Sequence, residues 1–154
     1  MSDSTKDAVI VERTINAPID TVWQLWTNPE HFKQWYGPEG FSIPVAEMDV
    51  QVGGSRKVCM QSPDGNMTMW YVGEFIEVTP STRLVYSDNM ADENGNLMPT
   101  NGNFPTQTQV TVVLEAIDGG TKMVMTHAGV PADSGADGGW NQAFNKLERL
   151  ATSL

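Results

Sequence analysis

The sequence predicts an α+β fold in which a curved antiparallel β-sheet wraps around one long C-terminal α-helix, with two short helices between the first and second strands. Three observations lead there. A two-residue Asp118-Gly119 turn joins two strands with matching alternation, residues from about Trp140 to Leu154 carry a one-sided helical stripe, and β-rich runs separated by turn signals fill most of the remainder.

The hairpin is the most sharply specified piece. Val110, Val112 and Leu114 run up one strand, and Met123, Met125 and His127 run down the next. The two-residue loop places Leu114 opposite Met123, Val112 opposite Met125 and Val110 opposite His127. The same register sets Glu115 against Lys122 and Thr111 against Thr126 on the other face, the pattern of a sheet buried on one side. His127 is therefore the one ionisable residue that this hairpin carries on its buried face.

Taken from the start, Val9 to Ala17 reads as the first strand. Asn16-Ala17-Pro18 then opens a helix, with proline at a position whose N–H would be unpaired anyway, and Ile19, Val22, Trp23 and Trp26 form its apolar stripe. Asn28-Pro29 repeats the start signal, and a second short helix presents Phe32 and Trp35 before Gly37-Pro38 ends it. Phe41 to Val52, Ser55 to Ser62, Met67 to Thr79 and Arg83 to Asn89 are strand-like. Gly53-Gly54, Pro63-Asp64-Gly65 and Pro80-Ser81-Thr82 separate them as turns, so neighbouring strands form an antiparallel meander. Asp88 to Thr106, rich in Asn, Gly and Pro, reads as a long loop at the rim of a pocket. In the last helix Asp137 is the expected N-cap, and Trp140, Phe144, Leu147, Ala151 and Leu154 recur at alternating steps of four and three.

Dimensions connect these elements. A helix of about fifteen residues spans ~23 Å, close to the longer strands, but it is only ~10–12 Å thick, whereas seven strands at ~4.8 Å make a sheet on the order of 30 Å wide. The sheet must curl around the helix. The short helices plug the remaining gap, and whatever the bulky Trp23, Trp26, Trp35, Phe41 and methionine side chains leave unfilled is a cavity.

Composition narrows the function. The 154 residues, 40% hydrophobic with five tryptophans, are expected to form a single domain over residues 1–154 that needs neither disulfide nor metal. No apolar run approaches the roughly 18 residues of a membrane span. The polar start Ser2, Asp3, Ser4, Thr5 shows no signal peptide, so the expected location is cytoplasmic and no membrane partner is expected. Nineteen acidic against nine basic residues give a net charge of −10, which repels nucleic acid. Asp88, Asp92, Glu93, Asp133 and Asp137 read as solvated surface. Cys59 is the only cysteine, and its apolar strand suggests a packed thiol.

In order and spacing, the elements resemble the START-like (SRPBCC, helix-grip, birch-pollen-allergen-like) superfamily, and within it the branch named after the activator of the heat-shock protein 90 ATPase. The resemblance rests on Ala17-Pro18, Val22-Trp23, the run Trp26-Thr27-Asn28-Pro29-Glu30-His31-Phe32 to Trp35 with Gly37-Pro38, and then Gly53-Gly54 and Pro63-Asp64-Gly65. It continues through Gly73, Phe75, Glu77, Pro80, Arg83-Leu84, Gly119-Gly120-Thr121, Thr126-His127, Gly139-Trp140 and Leu147. It implies a helix-grip fold with a cavity between sheet and helix. Position 56 departs from the pattern: similar proteins often carry an aromatic after the double glycine, and Arg56 here is expected to bring a positive charge to the cavity wall.

Chemistry-bearing motifs are few. No nucleophile elbow, phosphate loop or dinucleotide fingerprint occurs, and aligning Gly95 with the glycine of a calcium loop puts Met90 and Asn101 at ligand positions, so that reading fails. His127 has two readings: a polar determinant facing the cavity, or a core histidine bonded to a backbone carbonyl. His31 reads as a surface or capping residue, and two distant histidines make no zinc site. Arg56 would anchor an anionic head or pair with a carboxylate. Met60, Met67, Met69, Met123 and Met125 offer either an adaptable lining or ordinary core.

The leading expectation is a cytoplasmic pocket protein for a hydrophobic or aromatic small molecule, its site comprising Trp23, Trp26, Arg56, Met60, Tyr71, Val112, Met125, His127, Trp140 and Phe144. No cofactor, metal or catalytic residue is assigned. The branch name implies a first alternative, a chaperone-binding ATPase activator, and relatives of the fold imply a second, a cyclase- or hydrolase-like enzyme using the same cavity.

Overall fold

The computed structural model describes residues 8–94, 96, 107–129 and 136–153. Strand β1 (Ala8–Ile15) leads into helices α1 (Ile19–Thr27) and α2 (Pro29–Trp35). Strands β2 (Ser42–Met48), β3 (Ser55–Gln61), β4 (Thr68–Thr79), β5 (Arg83–Ala91), β6 (Gln107–Ile117) and β7 (Gly120–Ala128) follow, and then helix α3 (Ala136–Ser153). The strands form one curved seven-stranded sheet in the order β1-β7-β6-β5-β4-β3-β2, with every pairing antiparallel. This is the helix-grip arrangement. The edges are β1 and β2, and the chain passes from one to the other through α1 and α2, which is why two short helices sit across the open side of the sheet.

The β6–β7 register is the one the Asp118-Gly119 turn dictates: Leu114 pairs with Met123, Val112 with Met125, Val110 with His127, Glu115 with Lys122 and Thr111 with Thr126. Pro29 takes the first helical position of α2, and the Asn28 side chain accepts a hydrogen bond from the Glu30 N–H at 3.0 Å. Pro18 sits one place earlier than expected, as the N-cap of α1 itself.

Several boundaries differ from the sequence reading, by one or two residues at β1 (Ala8–Ile15), β3 (Ser55–Gln61) and β4 (Thr68–Thr79) and by more elsewhere. Strand β2 is shorter than Phe41 to Val52. Strand β5 continues to Ala91, because Asn89, Met90 and Ala91 find partners in Val72, Tyr71 and Trp70 of β4, so Asp88 is a strand residue and does not open a loop. Helix α3 starts at Ala136, which puts Asp137 inside the first turn, where its charge suits the helix dipole, and not at the N-cap. The polar start at Ser2 to Thr5, residues 95 and 97–106 of the expected rim loop, Asp133 and Leu154 lie outside the described residues.

The core fills the grip. Val22, Leu25 and Trp26 of α1, Phe32 and Trp35 of α2 and Phe144, Leu147 and Ala151 of α3 meet Ile15, Val58, Phe75, Leu84, Val110, Val112, Met123 and Met125 from the sheet, all buried. Cys59 is buried as a packed thiol. Arg13 of edge strand β1 fastens α3, donating to the Asn141 carbonyl at 3.1 Å and to Asn145 at 3.0 Å, and pairing with Glu148. On the opposite flank Lys146 donates to the Pro38 carbonyl at 3.0 Å and Arg149 pairs with Glu39 at 3.0 Å. Charged stems thus tie both sides of the helix down. Among the described residues no helix is long and apolar enough to cross a membrane.

Candidate functional site

Aromatic packing decides where space remains. The Trp26 ring lies 4.7 Å from Trp35 edge-on and 6.0 Å from Phe144, and Phe32 stacks on Tyr36 at 4.3 Å, so indole and phenyl groups plug the middle of the groove between sheet and α3. The Trp26 indole N–H is directed at the Met123 sulfur at 3.3 Å, and that of Trp35 donates to the Leu25 carbonyl at 2.7 Å, which satisfies both polar ends. A cavity of about 330 Å³ survives at one end. The segment after α2 (Tyr36, Gly37, Pro38, Phe41), the facing ends of β3 and β4 (Met60, Met69, Tyr71) with Met67 just before β4, Asp88, His127, and Gly139, Trp140 and Ala143 of α3 line it. Exposed Met67 stands at its edge.

Behind this largely apolar wall a polar row crosses the inner face of the sheet. In it Arg56 pairs across strands with Gly73, the Val72–Asn89 register sets Gly73 opposite Asp88, and Asp88 pairs with Thr108. Gly73 leaves no side chain between Arg56 and Asp88. A Cβ there would come within 1.9 Å of the Ser87 carbonyl oxygen, so the close approach of β4 and β5 requires glycine. Arg56 Nη1 donates to Asp88 Oδ1 at 2.9 Å, and the guanidinium is 2% exposed, with its carbon 3.9 Å from the Tyr86 ring centre and 5.5 Å from that of Phe32. Burial pushes the Asp88 carboxyl up, and the Arg56 charge pulls against it. Burial also opposes the charge on Arg56, but Tyr86, Tyr36 and Asp88 hold its pKa above the ordinary value, so it stays protonated.

The row continues as a directed chain of hydrogen bonds. The indole Nε1 of Trp140 can only donate, so at 3.1 Å it fixes His127 Nδ1 as the acceptor; Nε2 then carries the proton and donates to Thr108 Oγ1 at 2.8 Å. Thr108 in turn donates to the Asp88 carbonyl at 3.0 Å. Both ring nitrogens of His127 are engaged. Burial, and secondarily the Arg56 charge, lower its pKa to about 4, which keeps the imidazole neutral.

Residues 16–152 match the profile of the family described as activator of Hsp90 ATPase homolog 1-like protein. The chain belongs to that family. Solved structures share its fold. It is 23% identical to a Chromobacterium violaceum protein over 94% of this chain and 96% of the other, with a TM-score of 0.81. It is 27% identical to a Staphylococcus epidermidis protein over 98% and 93%, TM-score 0.80. A Rhizobium leguminosarum protein is 28% identical over 96% and 95%, TM-score 0.74. No curated protein matches the chain.

Within this homolog-like fold the ten residues of the expected site fall into three places. Met60, Tyr71, His127 and Trp140 line the cavity. Trp26, Val112, Met125 and Phe144 are packed into the core, and half-buried Trp23 packs against it, so these five do not line the cavity. Arg56 lies behind the wall as the partner of a carboxylate, and the charged residue at the wall is Asp88. Asp88 is a correction to the surface reading, at 8% exposure. Its signal was present: Leu84, Tyr86 and Asp88 alternate on one face, and the polar Ser87-Asp88-Asn89 triplet masked that period. Met60, Met67 and Met69 take the lining role while Met123 and Met125 take the core role. His127 bonds two side chains and not a backbone carbonyl. His31 is half-buried, with Nδ1 lacking a hydrogen-bond partner. Among the described residues no group of three or more His, Cys, Asp or Glu is placed to hold a metal.

Proposed function

We propose that this chain is a cytoplasmic, single-domain binding protein that holds a hydrophobic small molecule between the curved sheet and α3. The observation that carries the reading is the cavity of about 330 Å³, lined by thioether and aromatic groups with only a few polar positions. Its size lies at the small end of ligand pockets, which suits one or two fused rings more than a long acyl chain. Flexible methionines at its edge adapt to ligands of different outline.

The test is titration with the uncharged fluorophore N-phenyl-1-naphthylamine, followed by tryptophan quenching at the lining residue Trp140. Micromolar affinity is expected, and Met60→Trp, which fills the cavity, is expected to weaken it at least about tenfold. Unchanged binding in that folded variant would mean surface adsorption. Native mass spectrometry of freshly purified protein identifies any molecule that co-purifies.

The family match favours a second reading, contact with a chaperone ATPase. Stimulation of the purified chaperone's ATP turnover by this chain tests it. An enzymatic role has less support, since both nitrogens of the histidine at the cavity wall are already engaged.

A further inference from the structure

We infer that the cavity selects an uncharged, largely apolar ligand carrying one hydrogen-bond donor, a hydroxyl or amide N–H, which is received by the second carboxylate oxygen of Asp88. This inference rests on the binding reading above and names its ligand class. The Arg56–Asp88 pair is the starting point. A guanidinium and a carboxylate can share two parallel hydrogen bonds, yet only Nη1 to Oδ1 is made, at 2.9 Å. Arg56 Nη2 is buried without a partner. A buried ion pair adds little net stability even when fully bonded, and a half-bonded one is a poor structural device. Its geometry makes sense if the carboxylate is held for another purpose: Asp88 lines the cavity, Oδ1 is taken, and no described residue donates to Oδ2.

Among the described lining residues Asp88 is the one charged acceptor. His127 accepts from Trp140 and donates to Thr108, so it offers a ligand neither a free lone pair nor a free proton. The hydroxyls of Tyr36 and Tyr86 face each other at 3.2 Å. The Tyr71 hydroxyl makes only a 3.7 Å contact with the Met69 sulfur, and burial raises its pKa well above the ordinary value with Asp88 adding to the shift, so it stays a neutral phenol that can accompany the ligand group. Charge then sets the class. Arg56 and Asp88 cancel one another, so a cationic or anionic ligand would add an unbalanced buried charge, whereas a neutral donor uses the free oxygen at no such cost. The aromatic and methionine wall accepts the apolar body.

The experiment compares probes of nearly equal shape on the full chain: 2-naphthol, which donates; 2-methoxynaphthalene, which cannot; and 2-naphthoate, which is anionic. The expected order is naphthol tighter than the methyl ether by about tenfold or more, the value of a hydrogen bond to a charged acceptor, with naphthoate weakest. Asp88→Asn turns an amide into the cavity and is expected to remove or invert the preference. Because that variant leaves Arg56 without a counter-charge, the double variant Arg56→Met with Asp88→Leu is measured as well, and there the two neutral probes are expected to bind equally. Equal affinities in the unmodified protein, or a naphthol preference that persists in the folded double variant, overturn the inference and leave the cavity reading standing. If no probe binds, the binding reading itself fails.

Discussion

The indole N–H of Trp140 donates to Nδ1 of His127 at 3.1 Å, joining the first turns of α3 to the inner face of β7 and fixing the imidazole as the Nε2-protonated tautomer. A second proton on that ring would have to displace Trp140. Helix docking and histidine charge are therefore coupled.

The coupling has a pH signature. Burial, with Arg56 second, depresses His127 from 6.5 to about 4 in the folded chain, so the unfolded chain takes up a proton over a range in which the fold excludes it. Stability from the neutral ring is fully present above about 6.5, declines as the pH falls, and is lost below about 4. The whole effect is on the order of 3 kcal/mol. Urea denaturation between pH 7 and pH 4 is expected to show a flatter slope in His127→Gln than in the parent. Since Asp88 titrates in the opposite sense in both proteins, the comparison of slopes isolates the histidine, and identical slopes would refute the assignment.

Phe144 is fully buried against Trp26, Trp35 and Trp140. Phe144→Ala is expected to cost ~3–5 kcal/mol in chemical denaturation, because rings on three sides cannot collapse into the space. A loss below ~1 kcal/mol would mean the face of α3 is assigned wrongly.

Removing one member of the buried pair should be far worse than removing both. Arg56→Met strands the Asp88 carboxylate at 8% exposure and is expected to cost ~3–5 kcal/mol, whereas Arg56→Met combined with Asp88→Leu should recover to within ~1 kcal/mol of the parent. Denaturant midpoints of the two variants and the parent measure this, and equal losses would show that the charges are solvated.

Two glycines should respond in opposite directions. At Gly73 a methyl would meet the Ser87 carbonyl oxygen at 1.9 Å, and Gly73→Ala is expected to destabilise by ~1–3 kcal/mol. Gly138, in the first turn of α3, has nothing within 4 Å of the added carbon, and Gly138→Ala should stabilise by up to ~1 kcal/mol. Thermal midpoints distinguish the pair. A stable Gly73→Ala would show that β4 and β5 can separate at that point.

What the sequence determined by itself is local or one strand away. A two-residue turn admits a single register, so the Asp118-Gly119 turn alone assigns Val110, Val112 and Leu114 their partners. Proline beside asparagine set the start of α2, and the four-and-three spacing set the buried face of α3. Asp88 too follows the parity of Leu84 and Tyr86, which marks the inner face of β5 in spite of the polar triplet around it.

The cavity was decided by tertiary structure, because it is the volume that packing fails to fill, and that depends on rings arriving from distant parts of the chain. Trp26, Phe144, Val112 and Met125 share the same inward faces as Trp140 and His127, and periodicity cannot tell which of them meet one another and which meet empty space. The pairing of Arg56 with Asp88 is equally invisible in one dimension. It spans three strands, crosses at a glycine, and exists because the antiparallel registers of β3, β4 and β5 set Arg56 and Asp88 on either side of Gly73.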